Sequence, residues 1–259
     1  MYRSIEVTDF HLFNPPENIN DFDVTLYKSR KKEALNDLKD YLLIDGSSLD
    51  GSEIQKYLFP DDDVDIFLSH SHSDADKAIR LAIALERKGL KVFIDSCIWG
   101  NAFDLLKVID DQYCRNFDDS MYDYNKRNHS TSHAYMMLNT ALHKMIDRCE
   151  IFLFLGTPNS ISVKNGIENQ ESLKSPWIFS ELAFIQHVRR KSSLKSTSLT
   201  ESLESREKMA MDSLEVHYDK PRLDYKIESY VLENLLAGYY SGSKLALQHL
   251  YNHLSSRFN

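Results

Sequence analysis

The residues of this chain whose types and spacing suit chemistry fall in three short clusters. Ser69-His70-Ser71-His72 sets two hydroxyls and two imidazoles side by side. Asp95, Trp99 and Phe103 place one carboxylate and two aromatic rings close together in sequence. Trp177 and Glu181 are four residues apart, so on a helix they share one face. Hydroxyls, imidazoles and carboxylates exchange hydrogen bonds with a polar ligand, and flat rings stack on a flat one. Each residue also has a plainer reading. A glutamate usually ends in solvent. Trp177 and Phe103 suit a core as well as a pocket wall or a stacking surface. Ser69 and Ser71 suit ligand contact, or the capping of a following helix. Asp95 either orients its loop or touches a ligand. His70 and His72 would share a face on a strand, but no third ligand stands at metal-binding spacing, so no metal is expected.

These clusters sit at the joints of a repeated strand–helix pattern. Val64-Asp65-Ile66-Phe67-Leu68 is a short apolar run, and it stops at the Ser69–His72 cluster. That pattern predicts a buried strand ending in a polar loop. Ala78, Leu81, Ala82 and Leu85 then repeat at helical spacing, and Gly89 follows as a helix stop. Lys91–Asp95 predicts a second strand, completing a βαβ unit. The spacing predicts a helix over Ser132–Arg148, then a third strand at Ile151–Leu155. Ser175-Pro176 suits the cap and first turn of a helix over Trp177–Arg190. A fourth strand is expected at Leu214–Tyr218, and mainly helix over Ile227–Phe258 with breaks near Gly238 and Gly242. Such alternation predicts an α/β fold, a parallel sheet with helices on both faces. In such sheets ligands bind beyond the carboxyl ends of the strands, which selects Ser69–His72, the loop from Asp95 through Asn101, and Thr157–Ser160, the last followed by the helix bearing Glu181.

The first sixty residues read as an N-terminal extension, irregular or strand-like over residues 1–27, with a helix expected over Tyr27–Leu43. Residues 61–220 form the expected main domain, with insertions near 104–131 and 161–174. Phe117–Thr131 and Ser192–Glu207 are expected to be mobile loops or weak helices. Residues 221–259 are expected to be a C-terminal helical segment packing on the domain. The net charge, 31 basic against 39 acidic residues or −8, opposes a nonspecific nucleic-acid-binding role. Cys97, Cys114 and Cys149 are too few and too widely spaced for a disulfide framework or a zinc pattern. No apolar run is long enough to cross a membrane, and the first residues do not resemble a signal peptide. A soluble cytoplasmic protein is expected.

Four stretches, taken in order, resemble a known family. Asp65–Ser71 looks like the opening strand of a bacterial TIR (Toll/interleukin-1 receptor) domain. Gly89–Asp95 resembles its second strand. Trp99-Gly100 falls in the family's BB loop. Ser175–Leu182, containing Trp177-Ile178-Phe179-Ser180-Glu181, is similar to its W-x-x-x-E helix. The resemblance spans Val64 to Tyr218. It departs from the family in two long insertions and in a BB loop without its usual proline. It implies a flavodoxin-like, TIR-like fold. It also implies that Glu181 is the catalytic residue in cleavage of the nicotinamide–ribose bond of NAD. Ser69, His70, Ser71, His72, Asp95, Trp99, Phe103 and Trp177 then become substrate-binding candidates. Nicotinamide leaves as a neutral molecule, so one carboxylate beside the ribose can suffice to stabilise the positive charge that builds there. NAD is the substrate, and no separate cofactor is implied.

The chain resembles standalone Thoeris-like antiviral TIR proteins, whose nucleotide product activates a separate effector. Self-association through the BB loop is a further implied partner; nucleic acid and membrane are not. Two alternatives remain at the level of sequence. One is a non-enzymatic TIR adaptor that acts by TIR–TIR binding. The other is an enzyme similar to nucleoside deoxyribosyltransferases, which share the layered fold and use a carboxylate.

Overall fold

In the computed structural model, the described residues are 3–15, 18–29, 51–58, 64–94, 102–116, 121–163, 171–188, 216–238 and 242–256. They form, in chain order, β1 (Arg3–Thr8), α1 (residues 21–29), α2 (Gly51–Leu58), β2 (Ile66–Ser69), α3 (Ala75–Arg87) and β3 (Val92–Ile94). Then come α4 (Ala102–Tyr113), α5 (Tyr124–Arg148), β4 (Ile151–Leu155), β5 (Ser162–Val163), β6 (Glu171–Leu173) and α6 (Pro176–His187). The chain continues with β7 (Tyr218–Asp219), β8 (Tyr225–Glu228), α7 (Ser229–Ala237) and α8 (Ser243–Ser256).

Five strands pair in the order β3-β2-β4-β1-β8, every pairing parallel. Side chains of a strand alternate between faces, and both faces here are apolar and covered. Ile66, Leu68, Ile151, Leu153, Ile5 and Val7 point to the face covered by α1, α3, α7 and α8. Phe67, Phe93, Phe152 and Phe154 point to the other, under α2, α4, α5 and α6. Phe67 stacks on both Phe93 and Phe152, with centroids 5.4 and 5.5 Å apart. The result is the expected α/β fold, a flavodoxin-like parallel sheet with helices on both faces.

The order of strands carries a surprise. β3, β2 and β4 occupy the positions that the second, first and third strands take in a flavodoxin-like sheet. The fourth position belongs to β1, from the N-terminal segment, and the fifth to β8. The sheet therefore draws two of its strands from outside residues 61–220. The strand expected at Leu214–Tyr218 is not in this sheet. β7 begins at Tyr218 and pairs antiparallel with β6 in a separate small sheet, order β5-β6-β7. Residues 214 and 215 lie outside the described part.

Several local signals act as expected. Gly89, at φ 83°, turns the chain out of α3 in the left-handed region that glycine enters at little cost. Ser175 caps α6, its Oγ accepting from Ile178 N at 3.3 Å, with Pro176 in the first turn. Others differ. The helix expected at Ser132 begins at Tyr124, where the Asp123 carboxylate accepts from Lys126 N at 3.0 Å. The insertion expected near 104–131 is ordered through most of its length. It contains α4, a bridge between Arg115 and Tyr122, and the first turns of α5. Arg115 and Tyr122 both donate to Asp111, fixing the turn between the helices. Residues 30–43 of the helix expected from Tyr27, and Ser192–Glu207, lie outside the described residues.

Candidate functional site

A parallel sheet binds ligands where successive crossovers leave in opposite directions. From β2 the chain runs to β3 on one side, then returns past β2 to β4 on the other. The crevice between the carboxyl ends of β2 and β4 is therefore the place to look.

Ser69 ends β2 on the same sheet face as Phe67, because side chains alternate. That face carries α6, and the two are joined there: the Ser69 hydroxyl donates a short hydrogen bond to Glu181 Oε2. Both residues have 0 % exposure. The acid that motif reading selects is therefore an interior group, not a solvated helix residue. Ile178 and Leu182, buried on the same helix, press α6 onto Phe152 and Phe154 and set Glu181 against the strand end. Of the two readings left open for Ser69, capping does not occur. The short 3-10 turn at His72–Asp74 starts at Ser71 with no side-chain cap.

Around this pair the first cluster divides. His70 is buried, Ser71 half-buried and His72 exposed. The two histidines do not share a strand face, since His72 lies in the 3-10 turn. Trp177 is half-buried and stacks on Tyr135 of α5, centroids 5.2 Å apart at 24°. Its ring thus joins α6 to α5 at a partly exposed position. Asp95 and Trp99, and the side chain of Phe103, lie outside the described residues.

Two further clusters stand at the same edge, the first at the Thr157–Ser160 loop that sequence reading selected, the second one that it passed over. The first is the Asp74 carboxylate, which bridges the β2 and β4 loops. Thr157 Oγ1 donates to Asp74 Oδ2 at 2.5 Å, and Asn159 Nδ2 donates to Oδ1 at 2.9 Å. Ser160 Oγ donates back to Leu155 O at 3.1 Å, closing the turn after β4. The second is Glu6, in register with Phe154, which is itself in register with Ser69. Glu6, Phe154 and Ser69 thus form a row across β1, β4 and β2. Glu6 is buried and pairs with Lys220 Nζ at 2.7 Å; Lys220 also pairs with Glu171. Burial pushes the Glu171 carboxyl up, but Lys220 and Lys226 outweigh it and hold the group below its ordinary value. No single-sequence signal could find this network, because Glu6 and Lys220 are 214 residues apart.

Next to Glu181 on α6, Ser180 contacts α5. Its hydroxyl donates to Asn139 Oδ1 at 2.7 Å, so its oxygen accepts from His143 Nε2 at 3.0 Å. His143 stacks on Phe184, and burial there pushes its imidazole below the ordinary value, an effect its contact with Ser180 only partly offsets. The helix bearing Glu181 is held on both sides.

Fold and site together define a doubly wound α/β protein with a buried serine–glutamate pair at its topological switch point. In comparisons with known proteins, no family model, no curated protein and no solved structure matches the chain.

Proposed function

We propose that the chain is a TIR-like enzyme that cleaves the nicotinamide–ribose bond of NAD, with Glu181 as its catalytic residue. The observation that carries this reading is the Ser69–Glu181 pair: a carboxylate oriented by a hydroxyl, at the strand end beside the switch point. In the reaction the ribose C1′–nitrogen bond breaks and its electron pair stays on nicotinamide, which departs neutral. Positive charge grows on the ribose. A carboxylate fixed beside it, in surroundings of low dielectric, stabilises that charge more than one in water would. Water then captures the sugar and releases a proton, or another nucleophile takes its place to give a cyclic or conjugated product.

The biological role follows from the same resemblance. The product would act as a signalling nucleotide in antiviral defence, read by a separate effector, with Trp99 and its loop supplying a contact between copies. Cytoplasmic residence belongs to this proposal too. NAD is abundant there, and Cys114 and Cys149 are free thiols, as a reducing compartment keeps them. Among the described residues no helix is long and apolar enough to cross a membrane.

A second reading draws on the same burial. An acid with 0 % exposure also suits a structural pair in a non-enzymatic adaptor. Incubation with NAD and chromatography of released nicotinamide separates the two. The enzyme reading expects turnover by the wild type and a loss of about a hundredfold or more in Glu181→Gln, which keeps shape and removes charge. No release from wild type, or near-normal release from the variant, overturns it. Nicotinamide release also separates this reading from deoxyribosyltransferase-like base exchange, which leaves NAD intact.

A further inference from the structure

Away from the crevice, α2, α4 and α5 line a half-open cavity of about 740 Å3. None of its lining residues belongs to the Ser69–Glu181 site, so what it does is independent of NAD cleavage. The volume falls within the roughly 300–1,000 Å3 of small-molecule pockets. Its floor is apolar: Ile54, Ile109, Ala134 and half-buried Met137. Methionine there adapts its shape to an irregular apolar guest.

Its rim is different. Lys126, His129 and His133, all exposed and all on α5, stand along one edge of the cavity. Among the described residues the carboxylates nearby are already committed. Asp110 accepts from Arg127 Nε at 2.9 Å and Ser130 Oγ at 2.6 Å. Asp111 is held by Arg115 and Tyr122, and Asp123 caps α5. Among the described residues these acids meet their own donors, and the exposed side chains lining the cavity are Lys126, His129, His133 and the neutral amide of Asn125. An apolar floor under a basic, hydrogen-bond-donating edge complements one ligand chemistry: an apolar body carrying a single anionic head.

We propose that this cavity binds a small amphipathic organic anion, its hydrocarbon part against Ile54, Ile109 and Ala134 and its head against Lys126, His129 and His133. The burial of the apolar part drives binding, and the rim selects the charge.

The test titrates the full chain with 8-anilinonaphthalene-1-sulfonate, a fluorescent aromatic anion, and competes it with decanoate and with decanol. The expected result is one saturable site per chain, displaced by decanoate and at least about fivefold less well by decanol, the same chain without the charge. Lys126→Glu, at an exposed position, weakens binding by about fivefold or more. Ala134→Phe fills the floor and abolishes it. Should Ala134→Phe fail to fold, Lys126→Glu and the decanol comparison still decide. Non-saturable fluorescence, equal competition by decanol, or binding unchanged in Lys126→Glu overturns the proposal.

Discussion

The Ser69–Glu181 contact can be weighed by a double-mutant cycle that needs no assumption about activity. Both residues are wholly buried, so neither group can turn to water when its partner is removed. Ser69→Ala deletes the hydroxyl that donates to Glu181 Oε2. Leaving a buried polar atom short of a partner costs about 1–3 kcal/mol. Glu181→Met is close to isosteric and strands the Ser69 hydroxyl instead, again at about 1–3 kcal/mol, less whatever the apolar replacement gains. In the double variant nothing is stranded between the two positions, and replacing both partners by apolar groups is nearly neutral. The stabilities should therefore be non-additive, with a coupling of about 1–3 kcal/mol. Urea unfolding followed by circular dichroism measures this, with constant slope as the check that the unfolded state is unchanged. Additivity within about 0.5 kcal/mol would show that the two groups do not act as a pair, and would remove the geometric basis of the proposed site.

Three other outcomes follow from buried groups. Lys220→Met leaves Glu6 buried with only Lys226 at 3.8 Å, and should destabilise the chain by about 3–5 kcal/mol in urea unfolding; a change under about 1 kcal/mol would mean the ion pair is not formed. Burial lowers the His143 pKa, so the unfolded chain takes up that proton first as pH falls; stability is full above about pH 6.5 and declines below it, and His143→Phe should flatten that slope. Burial pushes the Cys149 thiol up to about 12, and Cys114 is also raised. Mass spectrometry after iodoacetamide at pH 8 should find both unmodified until denaturant is added.

The half of the sheet that was legible in the sequence is the half with apolar runs. Ile66–Leu68, Val92–Ile94 and Ile151–Leu155 are buried on both faces and read as such. β1 falls in the stretch read as irregular or strand-like, but its own pattern hid its place inside the sheet. Ser4, Glu6 and Thr8 alternate with Ile5 and Val7, as in a strand with one wet face. Yet the polar face is covered, each group meeting a partner far along the chain. Ser4 Oγ donates to Asp224 at 2.8 Å, Glu6 receives Lys220, and Thr8 Oγ1 donates to Ile227 O at 3.3 Å. An interior strand that satisfies polar side chains through contacts more than two hundred residues away leaves no local trace of its burial. β8 was lost for a related reason: at four residues, followed directly by α7, it reads as the start of that helix. At the site, the W-x-x-x-E spacing located Glu181, and the strand end located Ser69. Periodicity could not show that the glutamate faces the sheet, because Trp177, on the same helical face, stays half-exposed against Tyr135.

The row Glu6–Phe154–Ser69 sets two buried carboxylates near one sheet face under different terms. Phe154 lies between Glu6 and Ser69, the residue to which Glu181 is joined. Glu6 is matched by an ammonium at 2.7 Å, shared with Glu171. Such a pair holds β1 against the small sheet, but it spends the charge: an ammonium cancels the field that a carboxylate would exert on anything else nearby. Ser69 meets Glu181 with a neutral hydroxyl, which orients the side chain without setting a countercharge against it. An acid meant to brace a fold does well with the first arrangement. One meant to meet a positive charge that exists only during a reaction needs the second, because its field must still be available when that charge appears. On the proposed reading the two acids have different work: Glu6 braces β1 against the small sheet, and Glu181 stands beside the switch point where a ligand would arrive.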